Sequence, residues 1–351
     1  MTTTHPADSD STETEERPTM KAITQQRYGS ADVLELETID RPTIGDTEVL
    51  VRVAAAGVDR GVWHLMTGLP YPTRLAFGWR RPRTPVPGMD VAGVVEQVGS
   101  EVTRFSEGDV VFGIGRGTFA EYARASQDKL AAVPKGLDLA SAGALAVTGS
   151  AALQAVEDHG RVQPGQHVLV LGASGGVGTY AVQIARALGA IVTGVASTDK
   201  LDLVRDLGAD HVIDYRTDDP LDGAKRYDVI IDTGGNRPLR HLRRALTPQG
   251  TLVIVGGEGG GRWLGGLDRQ ARAILLSTIS RQRLATFVAK EDASHLERLA
   301  DLVEARAVTP VIDRHFSLDQ TAAAIRHLET GAARGKVTIA VAPHATQGLQ
   351  Q

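Results

Sequence analysis

One segment of the chain, residues 168–178, restricts its possible folds more than any other. Four apolar residues (Val-Leu-Val-Leu) run directly into the sequence Gly-Ala-Ser-Gly-Gly-Val-Gly at positions 172–178. Apolar residues at helical spacing follow over 181–188, Gly189 supplies a natural helix end, and a second apolar run occupies 191–196. This order predicts a strand, a glycine turn, a helix and a second, parallel strand within about thirty residues.

The glycine turn indicates a ligand with negatively charged groups. Glycines let the backbone approach such a ligand closely, and the free N–H groups at the start of the following helix favour an anion. A dinucleotide pyrophosphate is the ligand that this strand-turn-helix unit usually binds. A tight turn that binds nothing is the alternative. The candidate cofactor contacts in the turn are Gly172, Ser174, Gly175, Gly176, Val177 and Gly178.

The rest of the chain shows two patterns. Before residue 134, short alternating runs separated by turn residues are typical of a compact, mostly β domain; they lie at 49–53, 91–98, 109–112, 119–123 and 130–133. After the glycine turn, helical stretches alternate with further strands at 211–214, 228–232, 251–255 and 284–288. We therefore expect an α/β fold with a Rossmann-type, doubly wound parallel sheet of six strands beside a mostly β domain.

The expected domain boundaries follow from these patterns. Residues 1–19 are mostly Thr, Ser, Asp and Glu and are expected to form a disordered tail. The first part of the mostly β domain spans 20–146, and the dinucleotide-binding domain spans 147–290. Helical and strand patterns over 291–345 are expected to return and complete the mostly β domain.

Composition excludes several function classes. The 351 residues carry a net charge of -4 and include no cysteine, which excludes disulfides, thiolate catalysis and cysteine-ligated zinc. No apolar run reaches the roughly 18 residues needed to cross a bilayer, and no signal segment is evident. We expect a cytoplasmic protein without nucleic-acid or membrane partners. Arg74, Arg80, Arg81 and Arg83 cluster among prolines, which indicates a solvated loop or a rim that attracts an anion.

Beyond these patterns, the chain from residue 20 to about 341 resembles the medium-chain dehydrogenase/reductase superfamily. Within it, the sequence is most similar to the zinc-independent quinone oxidoreductase (zeta-crystallin-like) branch. The resemblance implies that the mostly β domain (20–146 and 291–345) is a GroES-like substrate domain. It is carried by AAGV (55–58), PGMDVAGVV (87–95), VG (98–99), GDVV (108–111), GTFAEY (117–122), the glycine turn and LGAD (207–210).

The resemblance also bears on metal binding. Superfamily members that use zinc have a cysteine near the position of Val58 and a histidine at that of Met89, so no catalytic zinc site is expected here. A simple ketone needs a Lewis acid or proton donor for its developing alkoxide, whereas quinones and α,β-unsaturated carbonyls spread the charge of an incoming hydride.

The preferred nicotinamide is expected to be NADP. An acid at the end of the second strand would select NAD, but the sequence there is Ala-Ser-Thr, which includes Ser197 and Thr198. In the quinone reductases that the chain resembles, a lysine and a tyrosine fifteen positions apart hold the 2′-phosphate, and Lys200 and Tyr215 have this separation. The alternative is a surface lysine and a core tyrosine.

Further cofactor contacts are implied by the resemblance alone. They lie at the domain junction, after the fourth and fifth strands of the sheet and on the returning strand: Thr148, Thr233, Gly234, Gly256, Gly257 and Lys336.

The substrate pocket is expected where residues 59–71 face the nicotinamide. Asp59 stands where most relatives have asparagine and is expected to order the backbone or the ribose. His64 is a candidate proton donor to the product. Tyr71 is a candidate hydrogen-bond donor to a substrate carbonyl. Structural roles are the alternatives for all three.

Together these observations predict an NADPH-dependent, zinc-independent reductase of quinones or α,β-unsaturated carbonyls. A zinc-free carbonyl reductase or alcohol dehydrogenase is one alternative, and a non-catalytic NADPH-binding protein is another. The resemblance further implies a homodimer paired through residues 284–288.

Overall fold

The computed structural model describes residues 17–235, 237–256 and 261–341. Two large sheets dominate these residues, and a small antiparallel pair, β1 (Thr19–Thr24) and β2 (Glu35–Asp40), lies beside them. The first strand thus begins at the last residue of the expected tail, whose residues 1–16 lie outside the described part.

The larger sheet has seven strands and gathers both ends of the chain. Its path runs β14-β15-β3-β4-β5-β7, and β6 pairs with β3. The last strand pairs antiparallel with β3, so residues near 337–340 lie beside residues 55–58. The strands are β3 (Glu48–Val58), β4 (Asp90–Val98), β5 (Val110–Ile114), β6 (Tyr122–Ser126), β7 (Leu130–Ala132), β14 (Ile312–Ser317) and β15 (Lys336–Ala340).

The second sheet has six strands, all parallel, in the order β10-β9-β8-β11-β12-β13. The order reverses direction between β8 and β11, and the expectation of a doubly wound parallel sheet is confirmed. The strands are β8 (His167–Leu171), β9 (Ile191–Ala196), β10 (His211–Asp214), β11 (Tyr227–Asp232), β12 (Leu246–Ile254) and β13 (Arg283–Thr286).

Helices cover both faces of this sheet. The fully apolar β8 is typical of a strand buried on two sides: Val168 and Val170 belong to one core cluster, and Leu169 and Leu171 to another. The helices of the chain are α1 (Arg60–Thr67), α2 (Arg74–Phe77), α3 (Leu139–Ala142), α4 (Ala146–Leu153), α5 (Gly176–Ala187), α6 (Leu201–Asp206), α7 (Leu239–Ala245), α8 (Gly261–Leu264), α9 (Leu267–Ile279), α10 (Ala293–Glu304) and α11 (Thr321–Glu329). A π-helix, Gln154–Gly160, continues α4.

Two strands and one helix are among the elements that differ from the sequence-based expectations. The strand expected at 119–123 forms at β6, three residues later, because Phe119 donates its N–H to Pro87 and lies in an irregular connection. The strand expected at 284–288 ends at Thr286, and Val288 is 93% exposed. Helix α9 had no counterpart in the sequence analysis.

Among residues 17–235, 237–256 and 261–341, no helix is long and apolar enough to span a bilayer.

Candidate functional site

The glycine turn between β8 and α5 adopts a conformation that requires glycine at two positions. Gly172 has φ +78°, and a Cβ there would lie 2.5 Å from the hydroxyl oxygen of Thr233. A Cβ on Gly178 would overlap the Gly172 carbonyl oxygen. The helix therefore begins in direct contact with the end of the strand.

The same turn leaves open space where a ligand can approach. Among the described residues, a Cβ on Gly175 would meet only the Gly172 carbonyl oxygen, at 3.4 Å. No described side chain caps the start of α5, so its first N–H groups point into that space. An open backbone cradle at a helix N-terminus fits the pyrophosphate of a dinucleotide.

Two contacts tie the cradle to other parts of the fold. Thr233, after β11, donates its hydroxyl to the Leu171 carbonyl at 2.7 Å and thereby joins the ends of two strands. On the other side, Gly335 donates its N–H to the Ser174 carbonyl at 2.9 Å. The loop before the returning strand β15 therefore touches the turn.

Lys336, the first residue of β15, lies in a buried charge cluster. Its ammonium nitrogen is 3.0 Å from Oδ2 of Asp90 and 3.9 Å from Oδ2 of Asp59. The three residues are between 0% and 5% exposed. Asp90 also accepts the N–H of Val147 at 2.6 Å. Burial raises the pKa of Asp90, the Lys336 charge opposes this rise, and the Asp59 charge adds to it.

Asp59 has a second role at the start of α1. Its Oδ1 accepts the N–H of Val62 at 3.0 Å and caps the helix, whereas its buried Oδ2 has no hydrogen-bond partner among the described residues. The expectation that Asp59 orders local backbone is consistent with this cap.

The buried cluster borders the cradle. A Cβ on Gly176 would lie 3.3 Å from Cδ of Lys336 and 3.4 Å from Cγ2 of Thr148. Thr148 itself is buried and directs its hydroxyl to the Ala144 carbonyl at 3.4 Å. The structure thus brings four of the residues proposed from the sequence together: Asp59, Thr148, Gly176 and Lys336.

The end of β9 is the expected position of the adenosine ribose. Tyr215 donates its N–H to the Ala196 carbonyl at 3.2 Å, which places it beside that strand end, and its side chain is 49% exposed. Ser197 is buried, and the hydroxyl of the exposed Thr198 donates to Asp214. This hydroxyl lowers the pKa of Asp214, with a further contribution from a backbone N–H.

Lys200 does not extend into solvent. Its ammonium donates to the carbonyls of Gly331 at 2.8 Å and Ala333 at 2.9 Å, and the residue is 7% exposed. Burial lowers the pKa of Lys200. The alternative of a surface lysine and a core tyrosine is therefore wrong for both residues, and a contact of Lys200 with a 2′-phosphate stays a prediction.

His64 lies on α1 with a defined ring orientation. Its Nδ1 is 2.7 Å from the Leu69 carbonyl oxygen, so Nδ1 carries the proton and donates it. The ring also contacts Trp63 edge to face, with centroids 5.0 Å apart. Nε2 of the neutral ring is an acceptor and can donate only after the ring is protonated.

Tyr71 packs against two other side chains. Its ring meets that of Trp263 edge to face at 5.1 Å, and the Arg74 guanidinium lies 4.9 Å from its centroid. These contacts are consistent with a structural role for Tyr71, which was the alternative that the sequence left open. A hydrogen bond from Tyr71 to a substrate carbonyl stays a prediction.

A cavity of about 460 Å³ lies beside this region. Its walls include Phe77 and Arg83 from the arginine-rich segment, Gly115 and Gly117 after β5, and Met89. Met89 links the cavity to α1, because its sulfur lies 3.9 Å from an ideal Cβ position on Gly61.

An ion pair at the end of β11 had no counterpart in the sequence analysis. Asp232, 1% exposed, pairs with Arg269 of α9, which also donates to the Gly235 carbonyl at 3.0 Å. Oδ1 of Asp232 accepts the Gly235 N–H at 3.0 Å. This network shapes the turn that contains Gly234.

Two further predicted cofactor contacts lie after β12. Gly256 lies next to Thr233, and Gly257 lies outside the described residues.

The sequence analysis did not single out Asp90 or Arg269, and the sequence offered a different signal for each of them. Asp90 directly precedes an apolar strand segment, and Lys336 begins one as well; a buried carboxylate needs a cation, so the two could have been paired. Arg269 is one of many arginines on amphipathic segments, and no local pattern distinguishes it.

No group of three or more His, Cys, Asp or Glu residues suited to a metal ion occurs within the described ranges. Val58 and Met89, at the positions of the expected zinc ligands, contribute an aliphatic and a thioether side chain.

Comparisons with known proteins agree with this geometry. A model described as "Alcohol dehydrogenase GroES-like domain" matches residues 45–135, and one described as "Zinc-binding dehydrogenase" matches 207–339. The chain is 33% identical over 345 residues to an NADPH-dependent alkenal/one oxidoreductase, chloroplastic, of Arabidopsis thaliana, covering 91% of this chain and 79% of that protein.

Two further proteins extend the comparison. The quinone oxidoreductase of Homo sapiens is 32% identical over 334 residues, covering 91% of this chain and 97% of the human protein. A solved quinone oxidoreductase structure from Coxiella burnetii aligns with TM-score 0.80 at 27% identity, covering 93% of this chain and 100% of that one. The chain belongs to the quinone oxidoreductase branch of the medium-chain dehydrogenase/reductase superfamily.

Proposed function

We propose that this protein is an NADPH-dependent oxidoreductase that reduces a quinone or an α,β-unsaturated carbonyl compound without a catalytic metal. The proposal rests on one observation: the open glycine cradle and the segment 59–64, which carries the candidate substrate-site residues, lie on either side of Lys336. Lys336 joins them, because its side chain runs along Gly176 and ends between Asp59 and Asp90.

The residues at the cradle fit a dinucleotide. The N–H groups at the start of α5 would hold the pyrophosphate, with Gly175 leaving room for it. Thr148 and Lys336 border the nicotinamide half, and Tyr215 and Lys200 the adenosine half. When bound, the reduced nicotinamide supplies a hydride to the acceptor.

A preference for the phosphorylated coenzyme is supported by the chemistry at the end of β9. Asp214, the nearby buried acid, is engaged by Thr198 and by the Arg216 N–H at 2.9 Å, so it is not directed at a ribose hydroxyl. Lys200 has three N–H donors, of which two bind carbonyls, and we propose that the third binds the 2′-phosphate. A relative is named as NADPH-dependent.

The choice of acceptor rests on which groups can stabilise its charge. Because the chain supplies no cysteine for a zinc site, acceptors that themselves delocalise the added charge, as quinones and enones do, are favoured. Relatives named for quinones and for alkenals or alkenones support this substrate class. Simple aldehydes are expected to be poor substrates.

The proton that completes the reduction reaches the product from solvent or from His64. The Leu69 carbonyl fixes the Nδ1 proton of His64, so Nε2 is the nitrogen that exchanges a proton. An imidazole held this way can relay a proton to a product oxyanion in the cleft.

The proposal includes a homodimer paired through the edge of the six-stranded sheet. Strand β13 has one unpaired edge in the described structure, and the neighbouring α9 exposes Ile274 (56%), Leu275 (68%) and Ile279 (81%). An open edge beside an apolar helix face favours pairing with a second copy. Light scattering tests this: a monomer at micromolar concentration would contradict it.

Stopped-flow mixing of the protein and NADPH with a panel of quinones and enones tests the function. We expect rapid NADPH oxidation that is unchanged by prior treatment with a chelator. Turnover of simple aldehydes alone would favour a carbonyl reductase, and NADPH binding without any turnover would favour a non-catalytic protein. Stoichiometric zinc in the purified protein would contradict the metal-free mechanism.

A further inference from the structure

The segment 74–83 and the short helix α8 both contact Tyr71, through Arg74 and Trp263 respectively. The exposed side chains of these two segments are here called the arginine-aromatic face: Leu75, Trp79, Arg80, Arg81, Arg262, Trp263 and Leu264. The apolar members are strongly exposed, with Leu75 at 71%, Trp79 at 69%, Trp263 at 75% and Leu264 at 50%. Several large apolar side chains exposed on neighbouring segments often mark an interaction site.

Aromatic contacts hold the two parts of the face together. The ring of Trp263 packs on Tyr71, and the guanidinium of Arg74 lies over the same ring. A Cβ on Gly265 would also meet Pro70 at 2.5 Å, so the chain after α8 lies directly on the start of the arginine-rich segment.

The exposed side chains are held outward by a defined backbone. Tyr28 donates its hydroxyl to the Gly78 carbonyl at 2.6 Å, Arg83 donates its N–H to the Phe77 carbonyl at 2.8 Å, and Arg74 donates to the Gly68 carbonyl at 2.9 Å. Gly78 has φ +122°, a conformation that favours glycine. The face is therefore preformed.

The charge of the face is of one sign. Residues 60–89 include five arginines and no Asp or Glu, although the whole chain has a net charge of -4. Arg80 and Arg81 are exposed and form no ion pair with any residue in the described ranges. A partner that complements this face therefore has an anionic surface to bind the arginines and an apolar layer beneath that surface to bury the Trp and Leu side chains.

We propose that the arginine-aromatic face docks on an anionic lipid bilayer. Tryptophan and leucine enter the headgroup boundary while arginines bind acidic headgroups, which is the usual composition of an interfacial site. Exposed leucines favour a lipid over a nucleic acid, because leucine offers no ring on which a base can stack. This partner departs from the sequence-based expectation, which considered only spanning segments and signals.

Docking there would serve the proposed reaction, on which this part of the inference rests. Phe77 and Arg83 of the same segment line the 460 Å³ cavity next to Met89. A bilayer at the arginine-aromatic face therefore lies beside a wall of that cavity, and a lipid-soluble quinone or enone would have a short path from the membrane to the cavity.

Sedimentation of the full-length protein with extruded vesicles tests the proposal. Vesicles of phosphatidylcholine with phosphatidylglycerol are compared with vesicles of phosphatidylcholine alone. We expect binding to the anionic vesicles, weakened by added salt, and a blue shift of tryptophan emission on binding. The charge-reversal variant R80E/R81E and the apolar variant L75S/W79S are each expected to bind roughly tenfold or more weakly.

The control variant R205E/R240E changes the net charge by the same amount on exposed arginines of the cofactor half and is expected to bind like the wild type. All variants should reduce a water-soluble quinone at the wild-type rate, because none of the altered residues lines the cavity. If the wild-type protein bound anionic vesicles but did not reduce any quinone, the proposed function would be refuted and the docking proposal would stand.

Three results would overturn the docking proposal. The first is that the wild-type protein stays in the supernatant with anionic vesicles. The second is that the R80E/R81E variant sediments as well as the wild type. The third is a lower oligomeric mass of L75S/W79S, which would show that the face binds a second copy of the chain.

Discussion

Lys336 and Asp90 form an ion pair of 3.0 Å between two side chains that are 1% and 0% exposed, although 246 positions separate them in the sequence. The pair joins the strand that ends the fold to the strand β4 near its beginning. Asp59 lies at the edge of the same cluster, so two carboxylates face one ammonium group in a buried environment.

We expect Asp90→Ala to be strongly destabilising, because it leaves the Lys336 charge buried with only the more distant Asp59. The expected loss is about 3–5 kcal/mol in the free energy of unfolding. Urea denaturation followed by circular dichroism measures it. The triple variant D59N/D90A/K336M leaves no charged side chain of the cluster unpaired and should recover a large part of the loss. No recovery would show that Asp90 stabilises the fold through Val147 instead.

The same cluster predicts a pH dependence. Burial raises the pKa of Asp90, so the folded state binds a proton more tightly than the unfolded chain does. Stability from this group is then present below the ordinary carboxyl pKa and is lost as the pH rises through the raised pKa. Unfolding free energies measured in steps from pH 4 upward should fall less in Asp90→Asn than in the wild type. Parallel curves would contradict the prediction.

Two glycines of the cradle should separate folding from cofactor binding. In Gly175→Ala the new methyl group meets only one protein atom at 3.4 Å, so stability should fall by less than about 1 kcal/mol while the NADPH dissociation constant rises at least roughly tenfold. In Gly178→Ala the methyl overlaps the Gly172 carbonyl, which should cost roughly 2–3 kcal/mol of stability. Calorimetric titration and thermal unfolding measure both. Normal NADPH affinity in Gly175→Ala would argue against the cradle.

Lys200 and Tyr215 should determine coenzyme preference. A charge-assisted bond from Lys200 to the 2′-phosphate contributes about 1.5–3 kcal/mol, so Lys200→Met should weaken NADPH binding roughly tenfold to a hundredfold and leave NADH binding unchanged. Tyr215→Phe is the milder companion variant. Equal loss of affinity for both coenzymes would mean that Lys200 serves only to hold the carbonyls of Gly331 and Ala333.

Arg269 should act on the cofactor through the turn after β11. Arg269→Met leaves the carboxylate of Asp232 buried and unpaired, with an expected loss of about 3–5 kcal/mol. Because Gly235 loses a hydrogen-bond donor as well, the coenzyme dissociation constant should rise in protein that is still folded. The double variant D232N/R269M controls for the buried charge, and unchanged affinity in both variants would remove the positioning role.

Local sequence patterns predicted the elements of the cofactor sheet well, since strands such as 211–214 and the turn at 172–178 depend on neighbouring residues. Contacts between distant residues were harder. Lys200 was expected at the surface or on a phosphate, but its partners are carbonyls 131 and 133 positions away. Helix α9 was missed because its exposed Ile274 and Leu275 obscure the usual division into an apolar and a polar face.

The cleft residues show the same limit. The capping role of Asp59 is local and follows from its position three residues before the Val62 N–H. Its proximity to Lys336 depends on the pairing of β15 with β3, which no local pattern encodes. The packing of Trp263 on Tyr71 likewise required the tertiary structure.

The loop at 331–335 is bonded to Ser174 and Lys200, which follow strands β8 and β9 of the six-stranded sheet, and its continuation β15 is paired within the seven-stranded sheet. Such a doubly anchored loop acts as a pivot: if the halves rotate against each other, displacement is smallest here and grows with distance from it. The coenzyme's phosphates would then stay in place while the far rim, where Trp263 meets Tyr71, widens to admit an acceptor.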